Sequence, residues 1–291
     1  MKKYLLPLLT LSMAVLACSL PFSVGSQPPA APPTVAPQPT VILPTLEPTE
    51  PPTQSIPVAT AGGLSVTLSS PLATGYTLQV IPAVSDETQP GPWSIAPEHV
   101  RIQLPNYPLQ GKFHQPAIYI YPASSLAIMN EGAGYNIKTL QDILAPGVNL
   151  PRSPQDLPGV FFFNAGGIFA SNISRLSFQN GSGARWLTQY AQSFAPVNNF
   201  EMFYLYQGLT DDQAYYVIAI LPITHPALAA DDNLNTVLPA AGIPFPEDWE
   251  KAGEYYQQVS NLLEAALPDS FTPRLSDLDA LLSGMKIFPA P

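Results

Sequence analysis

Three histidines, a serine between two glycines and two pairs of adjacent aspartates are the side chains here that could do chemistry. His99, His114 and His225 fall on three separate segments. A zinc site needs three or four ligands, and no His-x-x-x-His or similar local pair supplies a start. His225, between Thr224 and Pro226 past a strand end, is expected to bond backbone instead. Gly181-Ser182-Gly183 lacks the Gly-x-Ser-x-Gly spacing of a hydrolase elbow and follows Asn180, so it reads as a turn whose glycines take positive φ. Asp211-Asp212 and Asp231-Asp232 do not follow the Asp-x-Asp-x-Asp-Gly spacing of a calcium loop. The first reads as a turn between strands, and the second sits in a long loop with Asn233 and Asn235, where weak calcium binding is the alternative. No catalytic residue, metal site or cofactor is assigned from these groups.

Aromatic residues are the stronger signal. Tyr204, Tyr206, Tyr215 and Tyr216 fall in adjacent strand-like segments, with Trp186 and Tyr190 in a neighbouring one. Strand alternation sends one set into the core and could leave the other as an outer aromatic face. Such a face would stack on a glycan or dock an envelope protein, because Tyr and Trp join apolar area to a polar tip. Arg175 and Arg185 could serve that surface or pair with Glu201.

The elements that must position these groups follow from periodicity. Leu64–Leu68, Tyr76–Val80, His99–Leu104 and Ile118–Tyr121 alternate apolar and polar, which predicts four strands joined antiparallel by short connections. Leu126, Met129, Ala133, Ile137, Leu140 and Leu144 then recur every three or four residues, predicting one helix from about Ser124 to Ala145. Gly132 and Gly134 within it mark a break or a close contact. Phe161–Phe163 and Ile168–Gln179 read as strands, and the latter forms a hairpin with Ala184–Ala191. Phe200–Gly208 and Ala214–Ile223 form a second hairpin, whose continuous Val217–Leu221 run suits a central strand covered on both faces. Two helices close the chain: one carries Trp249, Ala252, Tyr256, Val259, Leu263 and Ala266 as its buried stripe, the other Leu275, Leu278, Leu282 and Met285. The fold class is therefore α+β: a mainly antiparallel sheet of seven to nine strands with one early helix and two C-terminal helices packed on it.

Ahead of this domain the composition changes. Lys2 and Lys3 precede an apolar run from Leu5 to Leu16, too short to span a bilayer comfortably, and Val15-Leu16-Ala17-Cys18 follows. Residues 18–62 are dominated by Pro, Thr, Ala, Val and Gln, which predicts an extended, solvated stalk. At about 3.1 Å per residue it could hold a domain up to roughly 100 Å away. The division is a signal segment over 1–17, a stalk over 18–62 and a single globular domain over 63–291.

Val15-Leu16-Ala17-Cys18 resembles the lipobox of bacterial lipoproteins, with Val15 and Leu16 departing mildly from the usual pattern. Cys18 is the only cysteine, so it has no disulfide partner within the chain. The resemblance implies a diacylglyceryl thioether on Cys18, membrane association through it and an extracytoplasmic, lipid-anchored location; two or three chains anchor stably where one is marginal. Ser19 is not the aspartate associated with inner-membrane retention in some two-membrane bacteria. Phe178–Gln192, Phe203–Val217, Ile220–Pro226 and Tyr107–Gly111 together are similar to a family of uncharacterised bacterial lipoproteins with Pro/Thr-rich stalks, for which no activity carries over. The order of elements also resembles the PsbP-like αβα sandwich, at the level of fold alone.

Of 11 basic residues, the signal segment removes Lys2 and Lys3, leaving 9 against 21 acidic ones. That balance argues against nucleic acid and against an electrostatic hold on anionic lipid. Three functions remain open: a displayed binding domain, a structural or assembly component of the envelope, and a polysaccharide-acting enzyme with an acid pair brought together by folding.

Overall fold

The computed structural model describes residues 58–85 and 91–290. The signal segment 1–17, Cys18 and the stalk as far as residue 57 lie outside the described residues. Among those described, no helix is long and apolar enough to cross a membrane.

The period-2 segments form strands β1 (Val58–Ala61), β2 (Leu64–Thr67), β3 (Thr77–Ile81), β4 (His99–Gln103) and β5 (Ala117–Pro122). β1 pairs antiparallel with β2. The turn between them is Gly62-Gly63, with φ of 56° and 72°, which glycine adopts without the steric cost a side chain would add. Residues 58–61, assigned to the stalk, thus belong to the fold.

The expected single helix is two: α1 (Ala123–Met129) and α2 (Glu131–Leu144). The break falls at Asn130, whose Oδ1 accepts from Ala133 N at 3.0 Å as the cap of α2. Its Nδ2 donates to the carbonyls of Ile95 and Pro92 at 3.0 and 3.3 Å. Gly134 permits the close approach of the two helices, since a Cβ there would lie 3.2 Å from the Ala127 carbonyl oxygen.

The chain continues through β6 (Gly166–Gly167), β7 (Ser171–Phe178), β8 (Gly181–Thr188), β9 (Tyr190–Ala191), β10 (Phe203–Thr210) and β11 (Tyr215–Pro222), then α3 (Ala252–Glu264), α4 (Leu275–Ser283) and β12 (Lys286–Pro289). Seven strands form the main sheet in the order β3-β4-β5-β11-β10-β8-β7, antiparallel throughout; β1-β2-β12 form a second sheet and β6-β9 a small ribbon. The α+β class holds, with helices on both faces of the main sheet. One face packs Ile102, Ile118, Val217 and Tyr204 with Val259 and Leu263 of α3 and Leu278 and Leu282 of α4. The other packs Trp186, Leu205, Tyr216 and Ile218 with Leu126 of α1 and Leu140 of α2. β11 is the central strand, as its unbroken apolar run predicts.

Three further expectations of the fold fail. Phe161–Phe163 is not a strand but a turn. Its rings plug the sheet face instead, Phe161 against Tyr121, Phe162 against Tyr119 and Phe163 against His114. Trp249 is 72% exposed, because it sits in a 3-10 turn ahead of α3, whose buried stripe is Tyr255, Val259 and Leu263. The glycines at 181 and 183 lie in β8 rather than in a turn of positive φ. They are required by close approach: a Cβ on Gly181 would meet Leu209 O at 2.4 Å, and one on Gly183 would meet Gln207 O at 2.2 Å.

Candidate binding site

The six aromatic residues do not share an exposed surface. β10 pairs with β8 and β11 in a register that sends Tyr204 and Tyr206 to the face covered by α3 and α4, and Trp186 and Tyr216 to the face covered by α1 and α2. Those four are buried, while Tyr190 and Tyr215 are half-buried. Their polar tips are spent inside the fold. Tyr204 Oη donates to Asp279 Oδ1 at 2.8 Å, Tyr206 Oη to Leu176 O at 3.2 Å and Tyr216 Oη to Gln207 Oε1. Tyr190 Oη accepts from Val160 N at 3.1 Å. Burial pushes all four phenols up from their ordinary values. The expected aromatic face fails because the sheet has helices on both sides, so alternation separates two cores rather than a core from a surface.

Neither arginine pairs with Glu201, which accepts from Gln189 Nε2 and Asn198 Nδ2, both at 2.8 Å. Arg175 donates to the carbonyls of Ile143 and Val148 at 2.6 and 2.7 Å, closing the C-terminal end of α2, where orphan carbonyls favour a cation. Arg185 forks onto Asp279, Nε to Oδ1 at 3.0 Å and Nη2 to Oδ2 at 3.1 Å, and Nη1 donates to Asn172 O.

The histidines stay apart, and among the described residues no three His, Cys, Asp or Glu side chains gather as metal ligands do. His99 stacks on Tyr121 with centroids 4.2 Å apart and Nδ1 set 2.9 Å from Pro97 O. His114 lies among Phe113, Phe163 and Phe203, where burial lowers its imidazole to about 4. His225 accepts from Ala227 N at 3.3 Å, the backbone bond expected of it, and meets Ser270 Oγ at 3.1 Å. Asp212 makes the β10–β11 turn, accepting from Thr210 Oγ1 at 2.6 Å and Ala214 N at 3.0 Å; these bonds, the hydroxyl's first, hold its carboxyl below the usual range. Asp231 likewise accepts from Asn233 N and Thr236 Oγ1 within its own loop.

What folding creates instead is a cleft of about 810 Å³ beside the edge strand β7. One wall is the Pro-rich segment Asn149–Gln155, the floor is Ile168–Ala170 with Ile173, and the other wall is α3. α3 presents Gly253, Tyr256, Gln257, Ser260, Asn261 and Glu264 to it, a stripe at helical spacing distinct from the buried Tyr255–Val259–Leu263 stripe. Two bonds fasten α3 to the start of β7: Ser171 Oγ donates to Ser260 O at 3.0 Å, and Asn172 N donates to Glu264 Oε2 at 2.6 Å. Tyr256 is pinned by its hydroxyl, which accepts from Ala195 N at 3.1 Å and donates to Ala195 O at 3.0 Å. Gln257 Nε2 donates to Asn261 Oδ1 at 2.9 Å. The lining mixes amides and hydroxyls with an apolar floor, as ligand pockets of about 300–1,000 Å³ do. A smaller groove of about 420 Å³ lies between Phe194, Phe245 and Tyr255 and the loop carrying Leu234 and Leu238.

Sequence reasoning missed the cleft. Gln257, Ser260 and Asn261 fall outside the apolar stripe read for their helix, and the segment 149–155 shows neither a strand nor a helix period. Each reading is locally right, but only the tertiary fold places the two segments opposite each other.

Searches of protein-family models, of curated proteins and of solved structures find no match to this chain.

Proposed function

We propose that this chain is an extracytoplasmic binding domain held at a membrane by a diacylated Cys18, spaced from it by the Pro-rich segment, with the cleft between α3 and Asn149–Gln155 as its ligand site. The observation that carries the binding part is the cleft itself, a volume of about 810 Å³ walled by amide and hydroxyl side chains fixed on a helix. The lipobox resemblance and the lone cysteine support the anchor. The acidic balance, formal net charge −10, supports a partner other than nucleic acid.

The lining favours binding over glycoside hydrolysis. Hydrolysis needs two carboxyl groups roughly 5–9.5 Å apart. Glu264 is the one carboxylate among the cleft-lining residues, and the Asn172 amide already engages it.

Two measurements test the proposal. The full chain expressed in a bacterium should incorporate labelled palmitate and sediment with membranes, and Cys18→Ala should abolish both; retention of the label by the variant would remove the anchor. In detergent, where the lipid anchor no longer holds it to membrane, the same chain should co-sediment with isolated insoluble cell-envelope polymer, and Asn261→Trp, which fills the cleft from an exposed helix position, should prevent it. Unchanged co-sedimentation of Asn261→Trp would remove the cleft as the site.

A further inference from the structure

We infer that the cleft takes an uncharged polysaccharide chain, with a sugar ring seated against Tyr256; this rests on the reading of the cleft as a binding site. Charge narrows the ligand first. Arg152 and Glu264 are the charged side chains among the lining residues, and the Glu264 carboxylate is engaged by Asn172 N at 2.6 Å. A lone exposed arginine does not neutralise a polyanion, and a chain of net charge −10 repels one.

The donors and acceptors narrow it further. A sugar hydroxyl both donates and accepts, and so do the lining Gln, Asn and Ser side chains. The Gln257–Asn261 bond uses one atom of each amide. The Gln257 Oε1 acceptor and the Asn261 Nδ2 donor, one helical turn apart, remain for a ligand. The Ser153 hydroxyl takes Gln155 Oε1 at 2.5 Å on the facing wall, which leaves the Gln155 Nε2 donor.

Tyr256 supplies the platform. Its ring is half-buried, locked by both hydroxyl bonds to Ala195 and by edge contacts with Phe194 and Tyr255 at centroid distances of 5.9 and 5.3 Å. A ring already fixed loses little entropy when a sugar face stacks on it. Its hydroxyl is spent, so the ring face is what it offers.

A peptide adding as a strand fits less well. β7 is the sheet edge nearest the cleft, but Asn172 has its N–H taken by Glu264 and its carbonyl by Arg185, and the pairing is irregular between Ser171 and Ser174. The edge is blunted where a peptide would dock.

The experiment is calorimetric titration of the full chain, in a zwitterionic detergent without a sugar headgroup, with cellohexaose, chitohexaose, maltohexaose, hexagalacturonate and an uncharged hexapeptide. At least one neutral hexasaccharide should saturate the chain. Tyr256→Ala and the double variant Gln257→Ala/Asn261→Ala should each weaken it tenfold or more. Gln257 and Asn261 are exposed, so the double variant retains the fold if Tyr256→Ala does not. Tyr256→Phe, which keeps the ring face, should bind within threefold of the unaltered chain. Binding of hexagalacturonate or the peptide alone overturns the uncharged-sugar inference. So does silence from every neutral hexasaccharide while Asn261→Trp still abolishes envelope co-sedimentation, an outcome that leaves the binding-site reading standing. Saccharide binding indifferent to every cleft variant overturns both.

Discussion

Tyr206 lies across Gly183: a Cβ on that glycine would come within 2.5 Å of the tyrosine hydroxyl oxygen. The two residues sit on neighbouring strands, and the ring covers a strip of bare backbone that also includes Gly208. The glycines make room for a large buried ring, and the ring fills the space that the glycines leave.

Gly183→Ala should cost about 3 kcal/mol, read as a lowered urea midpoint at constant slope, because overpacking a tight core forces the backbone to move. The cost should persist in a Tyr206→Ala background, since the Gln207 carbonyl oxygen still lies 2.2 Å from the new atom. Gly208→Ala should behave differently. Its nearest contacts all belong to the Tyr206 side chain, so a double-mutant cycle should give a coupling of about 1 kcal/mol or more.

Asp279→Asn should destabilise by about 2 kcal/mol and Asp279→Ala by more. Asp279 holds both Arg185, whose side chain is 13% exposed, and the hydroxyl of Tyr204. Removing the charge leaves a largely buried guanidinium without its counter-ion, which costs more than the bond is worth. Equal stability of the Asn variant would show that the main-chain bond from Arg185 to Asn172 carries the arginine alone.

Arg175→Ala should raise amide exchange in the last turn of α2 and lower stability by about 1–2 kcal/mol, the worth of charge-assisted bonds to backbone carbonyls. Lysine should restore only part, because both bonds leave a single nitrogen, Nη2, at the far end of the side chain, and the lysine stem ends short of that point.

Acid should weaken the fold through its buried histidines. Burial lowers the His114 imidazole to about 4, from an ordinary 6.5, and moves His99 and His225 in the same direction. A depressed histidine favours its neutral form, so between about pH 6.5 and pH 4 the unfolded chain binds a proton that the folded chain refuses. Stability is whole above this window and falls as pH drops through it, by up to about 3 kcal/mol for His114. His114→Phe, which keeps a ring among Phe163 and Phe203, should flatten the dependence of the urea midpoint on pH over that interval. An unchanged slope would place the sensitivity elsewhere.

Much of the fold is written locally. The alternation in His99–Gln103 and the leucine spacing of Leu275–Ser283 each follow from one face meeting a core, so period alone exposes them, whereas Thr77–Ile81 alternates at the sheet edge with Val80 exposed. Lys286–Pro289 is too short to show a period and ends on a proline, and it becomes a strand only because β2 offers an edge. Phe161–Phe163 carries strand-like composition yet packs as loose rings, since apolar content reports burial and not backbone shape. The site was less legible still. The aromatic residues drew attention by type, but their exposure depends on whether helices cover one face or two. The cleft joins Asn149–Gln155 to α3 across a separation no local pattern crosses.

The pairing of β2 with β12 carries a consequence for timing. Thr67 sits opposite Lys286, and Leu64 opposite Pro289, so closing the small sheet spans 219 positions, the difference between 67 and 286. The entropy of so long a loop must be met before the contact repays it, and contacts of this kind slow folding. The hairpins β7–β8 and β10–β11 close over a few residues, so their loops cost far less entropy. The small sheet is therefore expected to close late, with β2 keeping an open edge until the segment 286–289 arrives.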